Sequence, residues 1–373
     1  MKVLLVGNYV PDGQKSMRFF SEMIEKGLSE MGHEVRMITP PEYFGALKPF
    51  LPRPAFKWLA YVDKILLFPR QLRKAASWAD VVHVCDIANA PHVKHIRSKP
   101  NIVSCHDLIG MRSALGEVPE HRAGWTGRVY QGVILSGLER SNHVVCGTQA
   151  TKDDILRMTK VKPENVSIVP YGLNYPFSPM GEGEATRRLK SLGLDAKQPF
   201  IIHVGVDVWY KNRMGLLSIF DCLLKIRETS SLDLVVVGAL LSAEMKRFLA
   251  EKGVEGRVHE LVEVDGEGLR ALYSAAKALV FPSFYEGFGW PIIEAQACGC
   301  PVFASNRPPM TEVGGRGVAY FDPANPERAS ALIAGKINDC AELRKAGFEN
   351  ARRFSAEKMV DSYVKLYGRV CGK

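Results

Sequence analysis

At 373 residues the chain exceeds the roughly 250 to 300 residues at which one hydrophobic core stops growing, so two domains are expected. With 46% hydrophobic and 24% charged residues it is neither disordered nor fibrous, and no run approaches the roughly 18 continuous apolar residues of a membrane-spanning helix. The net charge of +9 suits nucleic acid, anionic lipid or an anionic small substrate, but Lys and Arg are scattered along the chain, which sets nucleic acid aside.

The N-terminus, "MKVLLVGNYVPDG", has a four-residue apolar run before Gly7 and no small-residue cleavage site, so it reads as a first strand rather than a signal peptide. The loop that follows, "NYVPDGQKS", contains only Gly13 after Gly7 and so lacks the G-x-G-x-x-G of a dinucleotide fingerprint. Pro11, Asp12 and Gly13 make an ordinary turn. Residues 48–74, "KPFLPRPAFKWLAYVDKILLFPRQLRK", combine many basic residues and several aromatics with a single acid. This is the one local candidate for contact with an anionic membrane; the alternative is a solvated basic helix packed on its own domain.

Short β-branched runs then alternate with helical patterns. In the first half they fall at 2–6, 34–39, 80–84, 101–105, 143–146 and 166–169, and in the second at 200–204, 233–237, 257–261, 278–281 and 301–304. Strands separated by helical crossovers imply parallel, doubly wound sheets. A Pro- and Gly-rich stretch from 170 to 183 marks a linker, giving domains 1–175 and 176–373. In such sheets ligands sit beyond the carboxyl ends of the strands, and two such edges can face one another across a cleft. His106 and Asp107 follow the strand at 101–105, and Gly205 and Lys211 follow the one at 200–204. His92 and His95 form an H-x-x-H pair without a nearby third ligand and read as surface or core histidines. The eight cysteines include no C-x-x-C, consistent with reduced thiols in a cytoplasmic protein.

The most informative stretch is "PSFYEGFGWPIIEAQACGCP", residues 282–301. Pro291 suits the first turn of a helix, and Gly287 and Gly289 let the preceding backbone approach a ligand. A helix start of this kind favours a phosphate or diphosphate. Glu286 and Glu294 flank it, and carboxylates accept from paired hydroxyls on a sugar or ribose. The bland alternative is a surface loop acid and a solvated helix acid, the latter favourable near a helix N-terminus in any case.

"EGFGWPIIE" closely resembles the E-x7-E signature of family 4 of the retaining glycosyltransferases, with Trp290 where the family usually has Leu. "HVGVDVWYKN", "SCHDLIG", "PYGLN" and "GLSEMGHEVRMITP" resemble other parts of that family in order and spacing, so the likeness covers nearly the whole chain. The resemblance implies the GT-B architecture: two facing Rossmann-like doubly wound parallel-sheet domains with an interdomain cleft, the last helix, about 355–373, crossing back to the first domain. It implies transfer of a sugar from a UDP- or GDP-hexose to a saccharide or lipid-linked acceptor, as in polysaccharide synthesis by mannosyltransferases, by front-face displacement with retention.

On that resemblance Glu286 binds hydroxyls of the transferred sugar, Glu294 binds ribose hydroxyls, and amides of Phe288, Gly289, Trp290, Pro291's neighbours and Ile292 bind the diphosphate and sugar. Lys211 stabilises the leaving diphosphate, and His106 approaches the donor sugar. Gly13, Gln14, Ser16 and Asp107 lie at the donor or acceptor loops. The family commonly has an arginine a few residues before the lysine; here Val206, Asp207 or Tyr210 stands there, and Arg213 either replaces it or points to water. There is no D-x-D, so no metal is required and the nucleotide sugar is the only co-substrate expected. A monomer or homodimer at the inner face of the membrane fits this reading. An epimerase or phosphorylase on the same architecture is the alternative, and a non-catalytic polyanion- or membrane-binding protein a third.

Overall fold

The computed structural model describes residues 1–45, 59–118 and 121–372. They form two compact units, Met1–Asn174 with Ser355–Lys373, and Tyr175–Phe354. The first contains strands β1 (Lys2–Val6), β2 (Glu34–Ile38), β3 (Val81–Val84), β4 (Asn101–Cys105), β5 (His143–Cys146) and β6 (Val166–Ile168), in the order β2-β1-β3-β4-β5-β6. The second contains β7 (Phe200–Gly205), β8 (Asp233–Gly238), β9 (Val258–Leu261), β10 (Ala278–Phe281), β11 (Val302–Ser305) and β12 (Val318–Phe321), in the order β12-β11-β10-β7-β8-β9. Every pairing is parallel.

The strand sequences explain this choice. Every residue of β3, β4, β5, β10 and β11 is buried, which suits mainly apolar strands covered by helices on both faces. The edge strand β2 instead alternates, with Glu34 and Arg36 exposed. In the first unit Leu4, Val82, Val103 and Val144 pack with Phe68 and Leu72; in the second Val236, Val280 and Phe303 pack with Leu216, Phe220 and Ile333.

β12 is absent from the sequence reading. "VAYF" is short and follows "GGRG", which reads as loop, yet Val302 to Ser305 of β11 supply partners from Val318 to Phe321 and bury Val318, Ala319 and Phe321. Of the basic segment 48–74, residues 48–58 lie outside the described residues. The remainder is helical, with a π-helical turn at Val62–Leu67 leading into a helix at Phe68–Trp78. That turn carries Asp63 inward, where its carboxylate accepts from the Tyr9 hydroxyl (2.7 Å) and the amides of Phe44 and Gly45 (2.9 and 3.0 Å).

The helix Ala356–Val370 completes the first unit. His83 of β3 bonds through Nδ1 to the Tyr367 hydroxyl and through Nε2 to Ser104 Oγ, both 2.8 Å, and Ser104 lies 3.1 Å from the Tyr363 hydroxyl. Burial drives the His83 pKa down to about 3, so the imidazole is neutral. A side chain at Gly172 would strike the backbone of Ala356, and one at Gly27 would strike Val360, so both glycines permit the close approach of this helix.

Candidate active site

Sheet topology selects the place to look. In the second sheet β7 runs outward to β8 and β9, and the chain then returns on the other side as β10, so the loops after β7 and β10 flank the topological switch point. They carry Lys211 and Glu286.

The first loop is held by Asn212, which adopts a left-handed conformation at φ 52. Its side-chain oxygen caps the helix Arg213–Leu224 by accepting from Gly215 N at 3.2 Å, while Nδ2 donates to the carbonyls of Pro282 and Pro323, both 3.1 Å. One side chain thus joins the loops after β7, β10 and β12 and fixes its neighbour, Lys211. The Lys211 stem lies over Gly205, where an added Cβ would come within 3.3 Å of Lys211 Cδ. Its ammonium sits 5.2 Å from the Phe281 ring centroid and donates to both oxygens of Glu286, at 2.7 and 2.9 Å. Both side chains are nearly buried, 12% and 8% exposed, and a desolvated, two-pronged ion pair of this kind is stronger than a surface pair.

The second loop turns at Gly289, φ 97, which precedes the helix Trp290–Ala297 with Pro291 in its first turn. That φ is open to glycine and strained for other residues. Phe288 and Trp290 point inward, their rings meeting at 6.1 Å, with Phe288 also against Phe354 at 5.6 Å. Their side chains anchor the turn. Of the amides expected to meet a diphosphate, Ile292 N donates to Gly289 O at 3.0 Å and is used within the turn.

One helical turn on, Glu294 is buried and accepts from the Tyr273 hydroxyl at 3.0 Å. Desolvation raises its pKa to about 7, against the pull of the Tyr273 hydrogen bond and the positive charge of Lys211. Lys211 therefore acts on both glutamates. Next to it, His203 is fully buried and stacks on Phe281, with ring centroids 6.1 Å apart. Its Nδ1 donates to Val280 O at 3.1 Å, which leaves Nε2 as an acceptor with no hydrogen-bond partner among the described residues. Burial drives its pKa down to about 3.

Arg213 does not point to water: it is 2% exposed, and Nη1 and Nη2 donate to Ala239 O (2.9 Å) and Gly205 O (2.5 Å). The carbonyl ends of β7 and β8 capture the guanidinium, because a buried charge needs every nearby acceptor.

In the first unit His106 is buried at the end of β4. With Nε2 donating to Cys85 O, Nδ1 accepts from the Tyr171 hydroxyl, both at 2.8 Å, and Phe20 packs edge-on at 4.7 Å. Both ring nitrogens are thus engaged inside the unit. Asp107 Oδ1 accepts from Ile109 N at 3.0 Å and starts the next helix. Gly13, at φ 73, and Gln14 and Ser16 are exposed where the loop after β1 leads into the helix Lys15–Glu30, with Gln14 Oε1 accepting from Asn8 Nδ2. His92 packs on Phe68 and His95 approaches Arg73. Among the described residues no three His, Cys, Asp or Glu side chains gather as a metal site, and no disulfide joins the cysteines. No helix among them is long and apolar enough to cross a membrane.

Sequence reasoning missed Asn212, Phe281, Tyr273 and His203. An Asn directly before an apolar helical run is a helix-start signal that could have found the first. The other three reach the site from neighbouring elements and leave no local trace.

Two six-stranded doubly wound sheets, with paired acids and a lysine at the switch point of the second, define a glycosyltransferase of the GT-B class. The family model for Glycosyl transferases group 1 matches residues 185–354, and that for Glycosyltransferase Family 4 matches residues 22–175. The chain belongs to glycosyltransferase family 4. It is 26% identical over 328 residues to the O-antigen chain mannosyltransferase B of Escherichia coli, covering 87% of this chain and 83% of the relative. Among solved structures, sucrose-phosphate synthase from Thermosynechococcus elongatus superposes with a TM-score of 0.77 at 21% identity, covering 99% of both chains. Anabaena HepE in complex with UDP-glucose gives 0.73 at 17% identity, covering 99% and 100%.

Proposed function

We propose that this protein is a retaining hexosyltransferase that takes its sugar from a UDP- or GDP-hexose and passes it to a hydroxyl of a saccharide or lipid-linked acceptor. The observation that carries the reading is the Lys211–Glu286 pair at the switch point, with Glu286 eight residues before the buried Glu294. A cation acting on two hydroxyl-accepting carboxylates matches a diphosphate with a sugar on each side. The mannosyltransferase relative and the UDP-glucose complex of HepE support this donor class.

In this reading the acceptor oxygen bonds to the anomeric carbon on the face from which the diphosphate departs. The glycosidic C–O electron pair goes to the diphosphate, and the acceptor proton follows it. Lys211 and the positive end of the helix Trp290–Ala297 hold the charge that develops on the leaving group. Glu286 turns from Lys211 to the hydroxyls of the transferred sugar, and Glu294 holds the ribose.

Stabilisation by UDP, GDP and ADP selects the nucleotide, since a ligand at a hundred times its Kd adds about 2.7 kcal/mol. Nucleotide-sugar turnover should then require an acceptor, and the anomeric proton coupling of the product should match that of the donor. Acceptor-independent conversion of the donor sugar, or an inverted product, overturns the proposal.

A further inference from the structure

Of the large apolar side chains exposed among the described residues of the first unit, Ile65, Leu66, Leu67, Trp125, Val129 and Val133 gather on two helical segments. Trp125, Val129 and Val133 are 73%, 49% and 46% exposed. They recur every four residues on the helix Trp125–Leu138, whose opposite side buries Ile134 and Leu138, so they form one stripe. On the helical segment that includes the π-helical turn, Ile65 and Leu66 are 51% and 68% exposed. The two elements touch where the Tyr61 and Tyr130 rings meet, 6.2 Å between centroids. Ile65 lies four residues beyond Tyr61 and Val133 three beyond Tyr130, so each apolar stretch starts within about one turn of that shared contact.

Charge says what covers this face. Between residues 59 and 74 the only acid is Asp63, which is 0% exposed, and between 121 and 138 there is none. Arg70, Arg73, Lys74, Arg122 and Arg128 are all exposed on the same two segments. A second copy would bring an equal basic rim against this one, and an acidic surface with an apolar interior is what complements it. Apolar side chains with an interfacial tryptophan and a basic border are the features of an element lying in a head-group layer.

We propose that Ile65, Leu66, Trp125, Val129 and Val133 enter an anionic phospholipid leaflet, with the surrounding Arg and Lys side chains on its phosphates. This deepens the functional reading, on which it rests only for the acceptor: a glycosyltransferase seated this way takes an acceptor anchored in the same leaflet.

The test is flotation of the full chain with vesicles of phosphatidylcholine containing 30% phosphatidylglycerol, against pure phosphatidylcholine, at 0.1 and 0.5 M NaCl. Binding is expected to the anionic vesicles, to weaken at high salt, and to fall at least tenfold in Leu66→Ser/Trp125→Ser and in Arg70→Glu/Lys74→Glu. Nucleotide-induced thermal stabilisation should be unchanged in both variants, which separates failure of this surface from failure of the donor site. Equal flotation with neutral vesicles, no flotation at low salt, or unaltered binding by folded variants overturns the proposal. So does a dimer by light scattering that Leu66→Ser/Trp125→Ser dissociates.

Discussion

Glu294 titrates in the range where the protein would work, because burial lifts its carboxyl to about 7. Only the ionised form offers both oxygens to a pair of hydroxyls. Nucleotide affinity should therefore rise with pH between 6 and 8, by at most about tenfold per unit below the pKa, then level off. Calorimetry should show proton release on binding below pH 7, and Glu294→Gln should flatten the profile; a flat wild-type profile would dismiss the ribose role. Glu286 gives a different signature. On the proposed reading its removal abolishes the sugar-hydroxyl contacts, and it also frees Lys211 from the carboxylate that holds it at 2.7 Å. Glu286→Ala should lose transfer by about 10²-fold or more while binding UDP or GDP at least as tightly, measured by calorimetry. Lys211→Ala should weaken both, and transfer by the intact protein should persist in EDTA. These three residues were legible because each sits in a short local motif. Their supports were not: Tyr273, Phe281 and His203 lie on other elements, and only the folded sheet brings them within reach.

The elements that carry the site depend on two unusual backbone positions. Asn212 combines φ 52 with a helix cap and two bonds to neighbouring loops. Asn212→Ala loses the cap, worth about 1 kcal/mol, and leaves the carbonyls of Pro282 and Pro323 without these donors. A lower Tm and a reduced kcat should appear together, since the same side chain fixes Lys211; a drop in Tm alone would make its role purely structural. Gly289→Ala forces an alanine to φ 97, costing about 1 to 3 kcal/mol, or the turn relaxes and diphosphate affinity falls. Gly289 was visible in the sequence as a glycine beside a proline-started helix. The position of Asn212 was also local but went unread. β12 and the π-helical turn escaped for another reason: four residues after a glycine run become a strand only because β11 offers an edge. The extra residue of the turn is tolerated because it seats Asp63 on three donors.

Across the whole molecule, buried neutral histidines divide unevenly. The first unit holds His83, pushed to about 3, with His92 and His143, each pushed to about 4, in all three cases chiefly by desolvation. The second holds His203 at about 3. A histidine with a lowered folded pKa contributes stability that is full above its unfolded value and declines as pH falls toward the folded one. Each contributes at most about 1.4 kcal/mol per pH unit, so the three in the first unit reach about 4 kcal/mol per unit on acidification below about pH 6.5. In the second unit Glu294 has the opposite sign. Its raised pKa contributes fully below its unfolded value and is lost as pH rises through about 7, so it offsets His203 between about 4.5 and 6.5. Acid should therefore melt the first unit first, read by the fluorescence of Trp78 and Trp125 against Trp209 and Trp290 in single-tryptophan variants. Coincident transitions would show that the units unfold as one. The helix Ala356–Val370 adds a consequence for biosynthesis. His83 and Ser104 find Tyr367 and Tyr363 only after the ribosome has passed through residues 175–354. The half of the protein made first is thus the last to be finished, and a nascent chain stalled before Tyr363 should remain protease-sensitive there while its later-made half is already resistant.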